Sequence, residues 1–287
     1  SLISSKIKLN IIVIDNSSQD GTAEYIRQNF PEITLFAQNK NLGFGAANNI
    51  GIKYALCNGA DYVFLLNQDA WIEENTIENL LKIFVCDITD KLPAAREACL
   101  KPVGIVSPLH LNGAGNDIDI KFIDTYLSHQ NTPNFINDLY FNRLKPAYAT
   151  HLVNAAALLV SRECIEKTGG FDTSLFYHYG EDWNYCQRVN YHGFKIMIAP
   201  HSVVYHDRAE RHGKFTKPFE NAWSKIEPAL HWGNILIPES QLDNFIAKNE
   251  KKYRKTLIKF ALKLKFRKIF ALKKQFLDEK TFFEKIK

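Results

Sequence analysis

A mostly parallel α/β sheet flanked by helices is the fold this sequence predicts, and three observations predict it. Short β-branched and aromatic runs alternate with helical stretches across residues 10–110. The runs are nearly unbroken in apolar residues, as befits strands covered on both faces. Two of them end in an aspartate, and the carboxyl ends of parallel strands are where such sheets meet ligands.

The run Asn10 to Ile14 is a β-branched strand that delivers Asp15, followed by the polar turn Asn16 to Thr22 and a helical stretch, Ala23 to Asn29. After Phe30 and Pro31, the strand Ile33 to Ala37 enters the loop Asn39 to Gly51, which opens a helix reaching about Cys57. Gly43 and Gly45 there permit close backbone approach to an anion, and a helix start offers free amide donors, although such a glycine can equally serve only a turn. Residues 61–69 drive an apolar strand into Asp69, which reads either as a ligand to substrate or metal or as the cap of a helix beginning near Glu73.

A second constellation follows residue 150. Asn154 to Val160 reads as a buried strand, Arg162 to Thr168 as a short helix, and Gly169 to Asp172 as its tight ending. Glu181 and Asp182 are adjacent acids among Phe176, Tyr177, Tyr179 and Trp183. An aromatic setting desolvates a carboxylate and raises its proton affinity, which suits a general base; the competing reading is that both acids cap the helix Trp183 to His192. Phe194 to Pro200 and His201 to Asp207 read as two strands, the second carrying His206 as a metal ligand or a satisfied core histidine.

Composition sets limits. At 287 residues with 46% hydrophobic content, the chain buries one large core or a core plus an appendage. Five cysteines without a C-x-x-C pair or zinc spacing point to a reducing, cytoplasmic setting. Neither a bilayer-length apolar run nor a signal peptide is visible, and Ser1 at the start with Met197 as the only methionine reads as a piece of a longer protein. Residues 1–215 read as the sheet domain and 216–287 as a helical extension. Within the extension, residues 251–275 hold eleven Lys and Arg and no acid, with Ile258, Leu262, Phe266, Ile269 and Phe270 as an apolar stripe. Such a helix lies on an anionic membrane at the inner face of the cell or packs on the domain with its charges in solvent. Nucleic acid is the poorer partner, because the aromatics sit on the stripe and not among the charges.

Together, Ile12 to Thr22, Asn41 to Gly45 with Asn49 and Gly51, Leu65 to Ala70, Gly169 to Asp172, Glu181-Asp182 and His206 resemble the inverting glycosyltransferases of family 2. The resemblance is particularly to the bacterial branch with the rhamnosyltransferases of surface-polysaccharide assembly, and it covers about residues 3–210. It implies a GT-A fold, a nucleotide-sugar donor such as dTDP-rhamnose, a saccharide or lipid-linked acceptor, and a divalent cation, Mg2+ or Mn2+. It also implies roles: Asp15, Asn41, Gly43, Asn49, Asn67 and Gln68 at the donor, Asp69 and His206 on the metal, Asp182 as catalytic base with Glu181 as runner-up. The aromatic rings beside those acids are expected against the acceptor sugar. Two departures stand out. Asn67 replaces the first acid of the family's D-x-D motif, and the strand that precedes the Asp15 strand in the family is absent, Ser1 to Ser5 reading as the end of the helix after it. A gap in the sheet is therefore expected, closed by rearrangement or left in an impaired enzyme. A membrane- or partner-binding scaffold and a nucleotidyltransferase are the alternatives, the latter opposed by the lack of a basic glycine-rich loop near the first strand.

Overall fold

In a computed structural model, described for residues 1–89, 101–176, 179–208, 230–231, 234–235 and 239–262 with isolated positions beyond, the chain alternates strands and helices. After a 3-10 turn at Leu2–Ser4 come β1 (Ile12–Asp15), α1 (Thr22–Asn29), β2 (Thr34–Ala37), α2 (Phe44–Cys57), β3 (Tyr62–Leu66), β4 (Ala70–Ile72), α3 (Thr76–Thr89) and β5 (Val103–Asn112). Then follow α4 (Ile120–Tyr126), α5 (Phe135–Tyr140), β6 (Tyr148–Thr150), β7 (Ala157–Ser161), α6 (Arg162–Thr168), α7 (Glu181–Tyr191), β8 (Lys195–His206) and α8 (Glu239–Leu262).

The main sheet has the order β3-β7-β5-β8-β4, with β6 also on β8. Strand β7 is antiparallel to both β3 and β5, and β5 is parallel to β8, so β3, β5 and β8 run in one direction. The apolar runs are explained by the two faces. Val63, Leu65, Ile105, Leu158, Val160, Ile196 and Ile198 point into one core with α4, α6 and α7, whereas Tyr62, Phe64, Val106, Leu159 and Ala199 meet Leu80 and Phe84 of α3.

Strand β8 departs from the sequence expectation. Pro200 suggests a break between two strands, yet the ladder with β5 continues past it: Ala199 pairs with Pro108 and Val203 with Leu109, the residues between forming a bulge. A proline is tolerated at such an irregularity because no regular ladder hydrogen bond is needed from it. The bulge divides the strand's labour. Ile196 to Ile198 take β6 on the outer side, and Val204 to His206 take β4. The short β4, three residues directly after Asp69, has no periodicity long enough to be seen in the sequence.

The expected gap is present. Strands β1 and β2 form a separate two-stranded parallel sheet, and β3 is the end strand of the main one. The ladders show which groups face the gap. Thr34 N donates to Ile11 O and Gln38 N to Asp15 O, so with Ile12 opposite Thr34 the amides of Val13 and Asp15 serve β2 while those of Ile12 and Ile14 point away. On the other side, Asn67 N donates to Ala156 O and Arg162 N to Asp61 O, which commits the odd residues of β3 to β7 and turns Tyr62, Phe64 and Leu66 outward. Helix α2 bridges the two sheets: Gly51 lies against the Ile14 side chain, and Ile52 and Leu56 join the core containing Leu65 and Val63. Part of the cover over β3 comes from Leu2, Ile7 and Leu9, packed with Phe64 and Leu66. The compensation is thus apolar packing by the N-terminal segment together with α2, without a substitute strand among the described residues.

The boundary near residue 215 lies outside the described residues. Leu230, beyond it, is buried against Phe176, and its carbonyl accepts from Gln187 Nε2 at 3.1 Å, so the C-terminal part touches the sheet domain at α7. Helix α8 is polar over Lys251 to Lys255, and its Ile258 is exposed; the rest of the apolar stripe falls outside the described side chains. No helix among the described residues is long and apolar enough to cross a membrane. Cys57, Cys164 and Cys186 are free thiols.

Amide hydrogen exchange checks the split sheet: Ile12, Ile14, Tyr62, Phe64 and Leu66 are expected to exchange faster than their neighbours Val13, Asp15, Val63 and Leu65. Equal protection in both sets would show that the two edges are bridged.

Candidate active site

Asp69 leaves β3 and immediately precedes β4, whose register with β8 sets Ala70 opposite His206. The carbonyl of Asp69 accepts from Asp207 N at 2.9 Å, locking the two strand ends together. Their side chains meet as a result: Asp69 Oδ1 lies 3.4 Å from His206 Nε2. His206 is buried, and its Nε2 has no hydrogen bond within the usual distance and angle among the described residues. The carboxylate oxygen suits a divalent ion that completes its shell with phosphate oxygens and water, as Mg2+ and Mn2+ do, and His206 Nε2 joins it only in the tautomer with the proton on Nδ1, which gives up the Arg208 bond. No group of three or more His, Cys, Asp or Glu among the described residues could hold an ion by itself.

Two residues without a sequence motif join this pair. His110, near the end of β5, is fully buried, stacks on Phe122 at 4.5 Å and lies 5.9 Å from the His206 ring. Burial, with the charges of His206 and Arg208 nearby, holds its pKa well below the usual histidine value, so it is neutral. Arg208 forms an ion pair with Asp119, its Nε 2.8 Å from Oδ2, and that Nε donates to His206 Nδ1 at 3.3 Å. Asp119 is itself buried and caps α4 by accepting from Phe122 N. The available signal for Arg208 was its position two residues beyond His206; for His110, a lone histidine in an apolar run, there was none.

Glu181 and Asp182 open α7 behind Tyr179 and Gly180, both in the left-handed region at φ 69° and 88°. Both acids lie in the first turn of the helix, and both are desolvated. Asp182 Oδ1 accepts from the amide of Trp183 at the helix start, and the carboxylate also accepts from Ala155 N. Burial nevertheless raises its pKa to about 6, against the opposing pull of those amides and of Arg208. Burial and the Asp182 charge raise Glu181 to about 7, and its Oε2 has no hydrogen-bond partner among the described residues. Tyr126 of α4 faces Asp182; its hydroxyl accepts from Asn154 Nδ2 at 3.4 Å and from Trp183. Phe176 is 2% exposed and packs on Leu230, so it is core and not a platform for a sugar. Tyr179 and Trp183 are partly exposed, and Tyr177 lies outside the described residues.

Asp15 ends β1 in the smaller sheet, is buried, and accepts from Ser18 N at 3.1 Å. Beside it, Asn16 Nδ2 donates to Asn41 Oδ1 at 3.0 Å while Asn16 Oδ1 accepts from Leu42 N, and Asn41 Oδ1 also receives Gly43 N. This Asn16–Asn41 exchange, missed in the sequence, shapes the glycine loop, with Gly43 at φ 84° ahead of α2. Asn67 and Gln68 sit between β3 and Asp69 and are partly buried and exposed, respectively. Asn49 is not where the sequence reading set it. Its Nδ2 donates to Phe171 O at 2.9 Å and its Oδ1 accepts Phe171 N at 2.8 Å, so the amide is spent on the turn after α6. A Cβ on Gly170 would come within 2.3 Å of that Oδ1, and Arg188 holds the same turn through the carbonyls of Thr168 and Gly170. The Gly169-Gly170-Phe171 motif is therefore a clamp between α2, α6 and α7. A shallow depression of about 380 Å3 lined by Pro102, Glu163, Glu166, Lys167, His192 and Phe194 lies at the opposite end of α7 and β5.

The Glycosyl transferase family 2 model matches residues 1–87. Over 233 residues, 72% of this chain, 24% identity is shared with an N-acetylglucosaminyl-diphospho-decaprenol L-rhamnosyltransferase of Mycobacterium tuberculosis, 69% of which is covered. The chain is a glycosyltransferase, similar to those of family 2 over its residues 1–87. A pre-mycofactocin glycosyltransferase of the same organism is 27% identical over 215 residues, 72% of this glycosyltransferase and 39% of that protein. In fold, this glycosyltransferase is similar to the mannosyltransferase PcManGT of Pyrobaculum calidifontis, solved with GDP-Man and Mn2+, at TM-score 0.50 and 18% identity, covering 99% of this chain and 78% of that one. It is also similar to TarS of S. aureus, at TM-score 0.52 and 12% identity over 86% of this chain and 38% of that one. The GT-A architecture follows from these likenesses.

The structural position of Asn49 can be checked directly. Asn49→Ala is expected to lower unfolding free energy in urea by about 1–3 kcal/mol, from two lost hydrogen bonds that leave buried backbone groups unpaired, while nucleotide affinity of the folded protein stays within twofold. A selective loss of nucleotide affinity at unchanged stability would return Asn49 to the donor site.

Proposed function

We propose that this glycosyltransferase takes a sugar from a nucleotide donor of the dTDP-rhamnose kind and transfers it, with inversion, to a saccharide or lipid-linked acceptor in surface-polysaccharide assembly. The observation that carries the reading is the arrangement around Arg208: it bonds His206, which meets Asp69, and its charge is felt by Asp182. A donor-side pair and a desolvated base thereby share one neighbourhood. The rhamnosyltransferase relative supports the donor and a lipid-linked acceptor.

Asp15, Asn41 and Gly43 would receive the donor base and ribose, with Asn67 and Gln68 beside the sugar nucleotide. A divalent cation, Mg2+ or Mn2+, would be held by Asp69 and His206 and when bound supplies positive charge to the leaving diphosphate. Asp182 accepts the proton of the acceptor hydroxyl as that oxygen attacks the anomeric carbon from the face opposite the diphosphate, which inverts the centre. A carboxylate near pKa 6 is matched to this role, being ionised at neutral pH yet more basic than an ordinary aspartate. Glu181, near 7, is the second candidate. Tyr179 and Trp183 offer ring faces to the acceptor. Peripheral contact with the inner membrane face through residues 251–275 fits a lipid-linked acceptor.

Labelled dTDP-rhamnose and UDP-sugars, offered with Mn2+ or Mg2+, test the reaction. Transfer should rise with pH through about 6 and level off above it, because the base must lose its proton. Asp182→Asn should reduce transfer roughly 10^2–10^4-fold with donor affinity intact; retained turnover would move the role to Glu181. For the tail, replacing Lys251, Lys252, Arg254 and Lys255 together by Gln should weaken co-sedimentation with anionic liposomes, and unaltered sedimentation would leave α8 a solvent-facing helix.

A further inference from the structure

We propose that Trp71 and Tyr205 form a saccharide-stacking subsite, separate from the donor site, in which the outer face of the indole takes a pyranose ring of the acceptor chain. The inference rests on the transferase reading and extends it from the donor to the saccharide.

The pair stands at the end of the main sheet. Trp71 of β4 is opposite Tyr205 of β8, and side chains alternate along both strands, so the two rings share the solvent side while Ala70, Ile72, Val204 and His206 are buried on the other. The rings are parallel to within 7°, with centroids 5.8 Å apart. From the β5 side, Leu111 pairs with Tyr205, and Gly115 lies so close to the tyrosine ring that a Cβ there would overlap Cε1. In the other direction β4 is the last strand of the sheet among the described residues, and Trp71 is 39% exposed. The row therefore runs from Gly115 through Tyr205 to Trp71 and ends on an indole whose inner face is occupied and whose outer side meets solvent.

The chemistry of these groups selects the ligand. A pyranose has an apolar face of C–H groups and a rim of hydroxyls, which call for a flat ring and for a hydrogen-bond acceptor beside it. Trp71 supplies the ring. Glu73, two residues on, supplies the acceptor: its Oε1 receives the Tyr205 hydroxyl at 3.0 Å, and a carboxylate has more lone-pair sites than that bond uses. The same bond raises the Tyr205 pKa, so the phenol remains a donor and holds the carboxylate at the edge of the rings. The charges that follow Trp71 in the chain, Glu73 and Glu74, are both acids, which opposes an anionic bilayer or a nucleic acid as the occupant. The place suits an acceptor. Trp71 follows Asp69 by two residues, roughly 7 Å along an extended strand, so a saccharide held there lies beside the donor side without covering the His206 ring, which is on the opposite face of the sheet.

Titrations of the full chain with methyl α-L-rhamnoside, N-acetylglucosamine and chitobiose test the assignment, with affinity read by saturation-transfer NMR, location by the tryptophan indole N–H signals, and folding by thermal melting. Each is run without nucleotide and again with UDP or dTDP and Mn2+. The indole signal missing from Trp71→Phe identifies Trp71, and the saccharides are expected to shift it in both conditions. Trp71→Ala should weaken saccharide binding about tenfold and Trp71→Phe less, both keeping UDP and dTDP affinity within about twofold. A Trp71 signal that no saccharide moves, or saccharide affinity unchanged in Trp71→Ala, overturns the subsite. So does a signal that only anionic liposomes move, which would make the indole a membrane contact. If the unaltered chain binds UDP or dTDP but no saccharide, this inference fails alone; if it binds no nucleoside diphosphate either, the transferase reading fails with it.

Discussion

The pairing of β4 with the last three residues of β8 is the constraint on which the site depends. Three residues directly after Asp69 must lie antiparallel to Val204, Tyr205 and His206, and only that register brings a carboxylate from residue 69 to an imidazole at 206. The bulge at Pro200 makes this possible, because it lets one strand serve β6 with its first half and β4 with its second while β5 follows its whole length. A one-residue slip would turn His206 to the opposite face of the sheet and separate the pair. Arg208, two residues past the strand, is carried to its place by the same register and fastened by Asp119, the cap of α4.

Electrostatics in the site follows from burial more than from charge pairing. Glu181 and Asp182 sit at a helix start, where amide donors favour the ionised form, yet desolvation outweighs those donors and raises both. The same environment keeps His110 neutral. A position at a helix start and a raised proton affinity are thus one arrangement. The helix start holds the carboxylate still, and the surroundings set its affinity for a proton.

The described strands divide into a two-stranded and a six-stranded sheet. Apolar contacts from α2 and from Leu2, Ile7 and Leu9 hold the two sheets in one body, but they do not satisfy the outward amides of Ile12, Ile14, Tyr62, Phe64 and Leu66. Asp15 and its Asn16–Asn41 loop lie on the smaller sheet, whereas Asp69, His206, Arg208 and Asp182 lie on the larger one. The residues proposed for the donor base consequently rest on the two-stranded sheet. Asn49 matters here for a structural reason: from α2 it grips the Phe171 backbone, a tie to the larger sheet's helices.

What the sequence determined by itself was the alternation of strands and helices, the two strand-terminal acids and the aromatic-set pair at 181 and 182. These are local properties, written in apolar periodicity and in the residue that follows each run. Tertiary structure alone decided the rest, because each remaining feature depends on partners far apart in the chain. Pro200 became a bulge because β5 continued alongside it, and Asn49 left the donor loop because Phe171, 122 residues away, offered both a donor and an acceptor. Phe176 went into the core because Leu230 covered it. Arg208 and His110 carried no motif, and they joined the site only when β5, α4 and β8 converged, since an interaction between distant residues leaves no periodicity for a sequence to display.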